Sequence, residues 1–390
     1  MVKLCDILDI DLLKKHLADG VVRGQSHPEY PSELTIWNYT EVAQFDRIWD
    51  PVTNICRGLI TAGRPGDEIV IARPFRKFHN LNTEFVPETM EANLPSDIPL
   101  VTEKLDGSMG ILYHWDNRWR VATRGSFASD QAKWATEFLQ QTWQENFCAP
   151  PPNLLLTPIV EIIYPDNRIV VDYDYSGLVM TGMVWIEDGK EYSRLALEEW
   201  GRTHHLPVVK RFDKSLAECA GDNVPNAEGY VLSYPSTGLK VKVKFEEYCR
   251  LHRILTGLNP RSIWEMLVPP EMLMQQVPPE GVDPTLAEKR RLSVESILND
   301  PKMPVGFIEW FSGWVTHLRS SYAELEKTAK TVFMMRPVSG SRRDIAEFFM
   351  QAPKHRGILF AMLDGKDYEP TIWKLLKPRG DISTYKRDGE

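Results

Sequence analysis

The stretch Thr102-Glu-Lys-Leu-Asp-Gly-Ser-Met-Gly110 follows an apolar run, Ile98-Pro-Leu-Val101, and precedes the alternating segment Ile111-Leu-Tyr-His-Trp-Asp116. Alternation on both sides of a glycine-bearing turn predicts strand, tight turn, strand. In an extended segment residues two apart point the same way, so Lys104 and Asp106 are expected to face one cavity. A carboxylate beside the amine can orient it, and Gly107 leaves room for a ligand to approach the backbone. A lysine is a nucleophile only when its amine is neutral, which takes desolvation or a cationic neighbour. Taken alone, Lys-x-Asp-Gly more often marks a solvated lysine in a hairpin turn, so the rest of the chain must decide.

On either side of this hairpin the chain is rich in strand signals. Leu34–Thr40, Ile55–Thr61 and Glu68–Pro74 precede it, the last two separated by the turn 62–67. Arg118–Gly125 alternates after it, and 128–146 reads as an amphipathic helix through Ala132, Ala135, Phe138, Leu139 and Trp143, stopped by Pro150-Pro-Pro152. Strands are predicted again at Leu154–Tyr164, Ile169–Tyr173 and Leu178–Trp185, a helix near Ser193–Thr203, and a hairpin of Ala227–Tyr234 with Leu239–Phe245. A helix is also expected within Leu4–Leu17. After Asn259-Pro260 the strand signal disappears. Helices are predicted from Asp283-Pro284 to Leu298, over 304–333 and at Arg343–Gln351, Arg356–Leu363 and Pro370–Leu376, with a frayed polar tail at Asp381–Glu390. The apolar stripe Phe307, Phe311, Trp314, Leu318, Tyr322, Leu325, Ala329 reads as core. The expected organisation is therefore an α+β domain over 1–258 followed by an all-α domain over 259–390.

Composition narrows the classes. A net charge of −8 excludes a wholesale basic coat for nucleic acid, so any polyanion must be held in a local groove. No apolar run is long enough to span a membrane and no signal-peptide pattern is present, so a cytoplasmic protein without membrane contact is expected. Cys5, Cys56, Cys148, Cys219 and Cys249 are scattered without metal-like spacing and read as reduced thiols.

Several charges interrupt apolar strands of the first domain: Arg57-Gly58, Lys77-Phe78, Lys104-x-Asp106-Gly107, Glu161, Glu228-Gly229 and Lys242-x-Lys244. Glu161 stands inside Ile159-Val-Glu-Ile-Ile163, where an unpartnered carboxylate is costly. Lys242 and Lys244 alternate with Val241 and Val243, a pattern that alone also fits a solvated strand face. One polar cleft explains all these charges together.

The set resembles the covalent nucleotidyltransferases: DNA ligases, RNA ligases and capping enzymes. Within them it is most similar to the RNA ligase 1 family of T-even phages, related to the ligase domain of fungal tRNA ligases. The resemblance rests on Lys104-Leu-Asp-Gly, Val160-Glu-Ile162, Ala227-Glu-Gly-Tyr230 and Lys242-Val-Lys244. It rests further on Cys56-Arg-Gly-Leu59, Arg73-Pro-x-x-Lys77-Phe-x-Asn80, Thr123-Arg-Gly-Ser126, Glu161-x-x-x-Pro165-x-Asn167-Arg168 and Lys244-x-x-x-Tyr248-x-x-Leu251-His252, spanning about 36–252. It implies a pair of antiparallel sheets enclosing an ATP cleft, an antiparallel-sheet nucleotidyltransferase fold of the ATP-grasp-like DNA/RNA ligase type. It implies that Lys104 attacks the α-phosphate of ATP and carries AMP, that Arg57 and Lys77 contact the nucleotide and that Trp37 is an aromatic near the site. Glu161 is implied at the ribose, Glu228 near nucleotide and metal, and Lys242 and Lys244 at the phosphates; Asp106, Gly107 and Tyr248 complete the set. His79 stands where the phage enzymes carry a second aromatic, and Arg124 replaces a lysine, which changes hydrogen-bond geometry.

The implied activity is that of an ATP-dependent RNA ligase joining 5′-phosphate and 3′-hydroxyl RNA ends in RNA or tRNA repair, as a monomer, with Mg²⁺ (or Mn²⁺) whose ligands stay unassigned. Phosphoryl transfer of this kind needs positioning and charge stabilisation more than covalent help, which suits a site of lysines and arginine. The rival readings are a DNA ligase or mRNA capping enzyme, against which the lack of a recognisable OB-type barrel after 258 speaks, and a catalytically silent RNA-binding module. The basic clusters Lys289-Arg-Arg291, Arg342-Arg343 and Lys354-His-Arg356 make the helical domain the expected place for RNA selection.

Overall fold

The structure, a computed structural model, describes residues 1–64, 66–151, 154–269, 272, 293–339 and 341–380. It divides into two compact units, Met1–Arg250 and Leu251–Glu390. The first contains all thirteen strands of the described residues: β1 (Val22–Ser26), β2 (Leu34–Tyr39), β3 (Arg57–Ala62), β4 (Ile69–Ala72), β5 (His79–Asn80), β6 (Leu100–Lys104), β7 (Ser108–Trp115), β8 (Arg118–Ala122), β9 (Leu156–Ile163), β10 (Gly177–Trp185), β11 (Arg211–Phe212), β12 (Gly229–Tyr234) and β13 (Leu239–Lys244).

They form three sheets, where the resemblance implies two. One has the order β1-β2-β3-β4, one β10-β9-β7-β8 and one β11-β6-β12-β13-β5. All pairings are antiparallel except β13 with β5, a short parallel addition that brings the segment after Lys77 beside the cationic strand. The first sheet is covered on both faces. Leu34, Ile36, Ile60 and Ala62 pack with Ile111, Tyr113, Ala122 and Phe127, while Leu4, Leu8, Leu13, Val52 and Leu59 build a second cluster. Burial on both faces accounts for the continuous apolar run of β3. The second sheet carries the helix Asp130–Asn146, capped by the Ser129 hydroxyl accepting from the Ala132 N–H. Its buried Ala132, Ala135, Leu139 and Trp143 follow the helical period read in the sequence.

Three sequence readings change. Residues 169–173 are not a strand: the Val170 and Val171 N–H groups donate to the Asp106 carboxylate at 2.7 and 2.8 Å, which takes the place of a strand partner. The N-terminal helix begins only at Ile10, where the Asp9 carboxylate accepts from the N–H groups of Asp11 and Leu12; Leu4–Asp6 is a separate 3₁₀ turn. The chain also forms short helices at Glu41–Phe45, Pro51–Ile55 and Leu216–Gly221 that apolar periodicity does not announce.

The second unit is helical throughout its described residues. Val305–Met334 is a thirty-residue helix burying Phe307, Phe311, Val315, Leu318 and Ala329. Val315, rather than Trp314, continues the expected stripe. Ala329 joins Phe349, Ile358, Leu359 and Ile372 from the helices Arg342–Met350, Arg356–Leu363 and Glu369–Leu376. Of the helix expected from Asp283, Val294–Leu298 is present; 283–292, the Lys289-Arg290-Arg291 cluster and the 381–390 tail lie outside the described residues. No helix among the described residues is long and apolar enough to cross a membrane, and all five cysteines are free.

Candidate active site

The third sheet assembles the charged residues by register. Gly229 of β12 lies between Lys104 on β6 and Lys244 on β13, and Val231 lies between Thr102 and Lys242. Gly229 has φ +148°, and a Cβ there would meet the Val243 carbonyl oxygen at 2.0 Å, so only glycine fits. Its predecessor Glu228, 3% exposed, accepts from the Lys104 amine on one carboxylate oxygen and from the Lys244 amine on the other, each at 2.8 Å. One buried carboxylate thus holds two lysines, the arrangement that makes a buried ion tolerable.

The face formed by Lys240, Lys242 and Lys244 is not fully solvated: Lys242 and Lys244 are half-buried. Lys240 is buried; its amine pairs with Glu191 at 2.6 Å and sits 3.5 Å from the Phe75 ring centroid. Lys242 makes no ion pair among the described residues. Burial pushes its amine down to about 6, and Lys104, Lys77, Arg57 and Lys244 push the same way. It is an amine surrounded by cations, with the Phe78 ring 5.4 Å away.

Asp106 does not share a cavity with the Lys104 amine as alternation suggests. It is 2% exposed, and its carboxylate accepts from the Tyr248 hydroxyl at 2.7 Å besides the two N–H groups of 170 and 171. Its own N–H donates to the Tyr173 hydroxyl at 2.8 Å. Asp106 therefore pins the turn after Lys104, and the carboxylate at the amine is Glu228. Gly107 donates its N–H to Glu161 at 3.1 Å, and a Cβ there would lie 2.5 Å from the Ile162 carbonyl oxygen. Burial pushes the Glu161 carboxyl up to about 7, with Lys104 opposing and Glu228 and Asp106 reinforcing.

Arg57 and Lys77 converge near Tyr39. The Tyr39 hydroxyl accepts from Lys77 at 3.2 Å and from Arg124 at 3.0 Å. Burial raises this phenol, but Arg124, Lys77 and Arg57 outweigh it and hold its pKa below the ordinary value. The Lys77 amine also lies 4.7 Å from the Trp49 ring, which meets His79 edge-on. Arg57 donates to Met109 Sδ at 2.9 Å and its guanidinium lies 5.5 Å from the Phe78 ring. Trp37 is not brought to the cleft: its indole N–H donates to the Thr61 hydroxyl at 2.8 Å, and the ring packs on the cluster of Leu4, Tyr39 and Leu59. Tyr39 and Trp49 are the aromatics at Lys77.

A cleft of about 580 Å³ is lined by Arg57, Lys104, Glu161, Arg124 and Lys240, with Arg23 and Asn38 from the first sheet. Sequence reading passes over Tyr39, Asn38, Arg23 and the Lys240–Glu191 pair. Lys240 could have been found, since it continues the lysine alternation of β13; Arg23 sits in a segment with no local signal, and Asn38 in a predicted strand whose pattern does not single it out. No group of three His, Cys, Asp or Glu side chains among the described residues could hold a metal ion alone. That donor set fits Mg²⁺, which takes one or two carboxylates and completes its shell with phosphate and water. Glu161 is the fitting ligand, because its Gly107 contact occupies one oxygen whereas Lys104 and Lys244 take both oxygens of Glu228.

Residues 55–248 match the sequence model of the family described as RNA ligase. The chain is 24% identical over 300 residues to the RNA ligase of Rhodothermus phage RM378, covering 60% of this chain and 68% of that one. It is 30% identical over 220 residues to a protein of Thermovibrio ammonificans, covering 54% and 56%. Among solved structures it resembles a Naegleria gruberi RNA ligase with PPi (16% identity, 40% of this chain and 52% of that one, TM-score 0.32). It also resembles an archaeal ATP-dependent RNA ligase (15%, 92% and 96%, TM-score 0.45). The chain thus spans little more than half of the Thermovibrio and Naegleria proteins. With the matched residues running from the strand of Arg57 to Tyr248, this segment of the chain belongs to the RNA ligase family, among the covalent nucleotidyltransferases.

Proposed function

We propose that this protein is an ATP-dependent RNA ligase that joins an RNA 5′-phosphate to a 3′-hydroxyl in three steps. Lys104 attacks the α-phosphate of ATP, forming a P–N bond as pyrophosphate leaves. An oxygen of the RNA 5′-phosphate then attacks the same phosphorus and releases Lys104. A 3′-hydroxyl finally attacks the adenylylated end and expels AMP.

The observation that carries this reading is Lys242. A half-buried lysine facing Lys104, Lys77, Arg57 and Lys244 with no carboxylate of its own lowers the stability of the empty protein and becomes favourable once a polyanion enters. Triphosphate chemistry supplies that polyanion beside a lysine nucleophile. Glu228 fixes the Lys104 amine, Glu161 would face the ribose and hold Mg²⁺, and the Tyr39 hydroxyl sets the directions of Lys77 and Arg124. Bound there, Mg²⁺ or Mn²⁺ would neutralise phosphate charge. The substrate is RNA, of tRNA type by family resemblance, selected by residues 259–390; the protein acts as a monomer in the cytoplasm.

The test is incubation with α-labelled ATP and Mg²⁺, with mass-spectrometric mapping of the adduct. AMP is expected on Lys104. The Lys104→Ala variant should form none, yet still seal a synthetic 5′-adenylylated RNA. An active enzyme labelled on another residue, or no adduct at all, overturns the assignment.

A further inference from the structure

Outside the lysine cluster the cleft has a second group of cations. Arg23 on β1, Asn38 on β2 and Arg57 on β3 are direct cross-strand neighbours, Arg23 opposite Asn38 and Asn38 opposite Arg57, and all three line the cleft. The turn Thr123–Ser126 lies against them. A Cβ on Gly125 would sit 3.0 Å from Asn38 Nδ2 and 3.3 Å from Arg23 Nη2, so this glycine keeps the space beside both side chains open. Arg124 follows the same turn to Tyr39. Arg23, Arg57 and Arg124 have no ion-pair partner among the described residues.

Asn38 adds an observation independent of charge. It is 3% exposed, and its Oδ1 is buried without a hydrogen-bond partner. A carboxamide so buried leaves hydrogen-bonding capacity unspent, and because its two ends can exchange, it can offer either N–H or oxygen to a ligand. Three guanidiniums without a carboxylate partner, lining one cleft with an unsatisfied amide, suit one ligand chemistry, a terminal phosphate with several oxygens, since arginine meets phosphate through paired N–H donors.

We propose that Arg23, Asn38 and the space at Gly125 form a terminal-phosphate subsite that receives the 5′-phosphate of the RNA. This rests on the ligase reading above. In that reading two in-line displacements occur at one phosphorus, with Lys104 entering in the first and leaving in the second. Pyrophosphate therefore departs from, and the RNA phosphate arrives at, the side opposite Lys104. Arg57 belongs to both groups, being also among the cations acting on Lys242. In the second displacement a 5′-phosphate oxygen forms the new P–O bond, the P–N bond to Lys104 breaks, and the amine takes the electron pair and a proton. Arg23 and Arg57 balance the charge of the incoming phosphate.

The test uses the full chain with Arg23→Gln and, separately, Gly125→Ala. Arg23 is exposed, so its replacement does not threaten the fold, and Gly125 has no positive φ that alanine would strain. Three rates are measured: adduct formation from ATP, transfer from the preformed adduct to 5′-phosphorylated RNA, and sealing of synthetic 5′-adenylylated RNA. Transfer should fall about tenfold or more relative to sealing in both variants, KM for 5′-phosphorylated RNA should rise, and Arg23→Lys should restore part of the loss. A loss that extends to adduct formation would place the pyrophosphate in the same subsite and support the proposal. A loss confined to adduct formation would assign the recess to the nucleotide and overturn it as an RNA-end site. Variants within twofold of wild type in all three rates would also overturn it, leaving the ligase reading intact. Only a wild-type protein without any adduct removes the ligase reading itself.

Discussion

Replacing Lys242 with methionine should make the protein more stable and less active at once. The folded protein releases the Lys242 proton near pH 6, whereas an unfolded chain holds it to about 10.5. Each pH unit between those limits costs the folded state about 1.4 kcal/mol, so at pH 7 the ceiling is about 5 kcal/mol. Relaxation and water entry raise the effective dielectric, and the recoverable part is on the order of 2 kcal/mol. Methionine keeps the apolar stem beside Phe78 and drops the charge. Its melting temperature should exceed that of wild type by about 4–8 °C at pH 7. The pH course is the sharper test. A depressed lysine is neutral in both states above pH 10.5, so the two proteins should melt alike there. The gap should open as pH falls and stop growing below about 6. ATP should raise the melting temperature of wild type far more than that of the variant. Thermal melts by circular dichroism across that pH range decide the matter. A variant that melts below wild type at pH 7, or a gap that ignores pH, would refute the claim that Lys242 is a desolvated amine that takes up its charge when an anion arrives.

Glu228→Gln removes the charge that holds both Lys104 and Lys244, and should lower stability by roughly 3 kcal/mol in urea unfolding; wild-type stability would show the two lysines held by other means. Glu161→Gln should gain on wild type as pH rises from 4.5 to about 7 and hold a constant advantage above it, because the unfolded chain ionises this carboxyl first while the folded one keeps its proton. Its size is on the order of 3 kcal/mol at most, and a pH-independent difference would contradict it. Tyr39→Phe removes the acceptor shared by Lys77 and Arg124 and should slow adduct formation roughly tenfold with little change in stability; an unchanged rate would mean these cations need no hub.

What sequence reading reached follows from the range of the interactions. Glu161 interrupts an apolar run and Lys242 and Lys244 alternate with valines, so their strands could be read locally, whereas the meeting of Glu161 on the second sheet with the lysines on the third depends on the fold. Asp106 could not be read that way, because its partners lie 64, 65 and 142 residues away. The same long-range contact explains the misread segment 169–173, whose apolar pattern says nothing about whether its N–H groups meet a strand or a carboxylate. Trp37 shows the reverse failure. Its type suits a ligand-binding aromatic, but its Thr61 bond carries it into the cluster while Tyr39, two residues on, reaches the cations. Arg23 is an ordinary exposed arginine until the register of β1 on β2 sets it beside Asn38.

Glu228 is a divided carboxylate, one oxygen for each of two lysines. On the ligase reading, adenylylation turns the Lys104 amine into a phosphoramide nitrogen that keeps one N–H and carries no positive charge. The contact to Glu228 is then a neutral donor's, and Lys244 is the one lysine still able to offset that carboxylate's charge deep inside the protein. On that reading the loaded cleft carries one positive charge fewer than the empty one beside the same buried carboxylate, so the covalent step itself changes the charge that the cleft presents to what binds next.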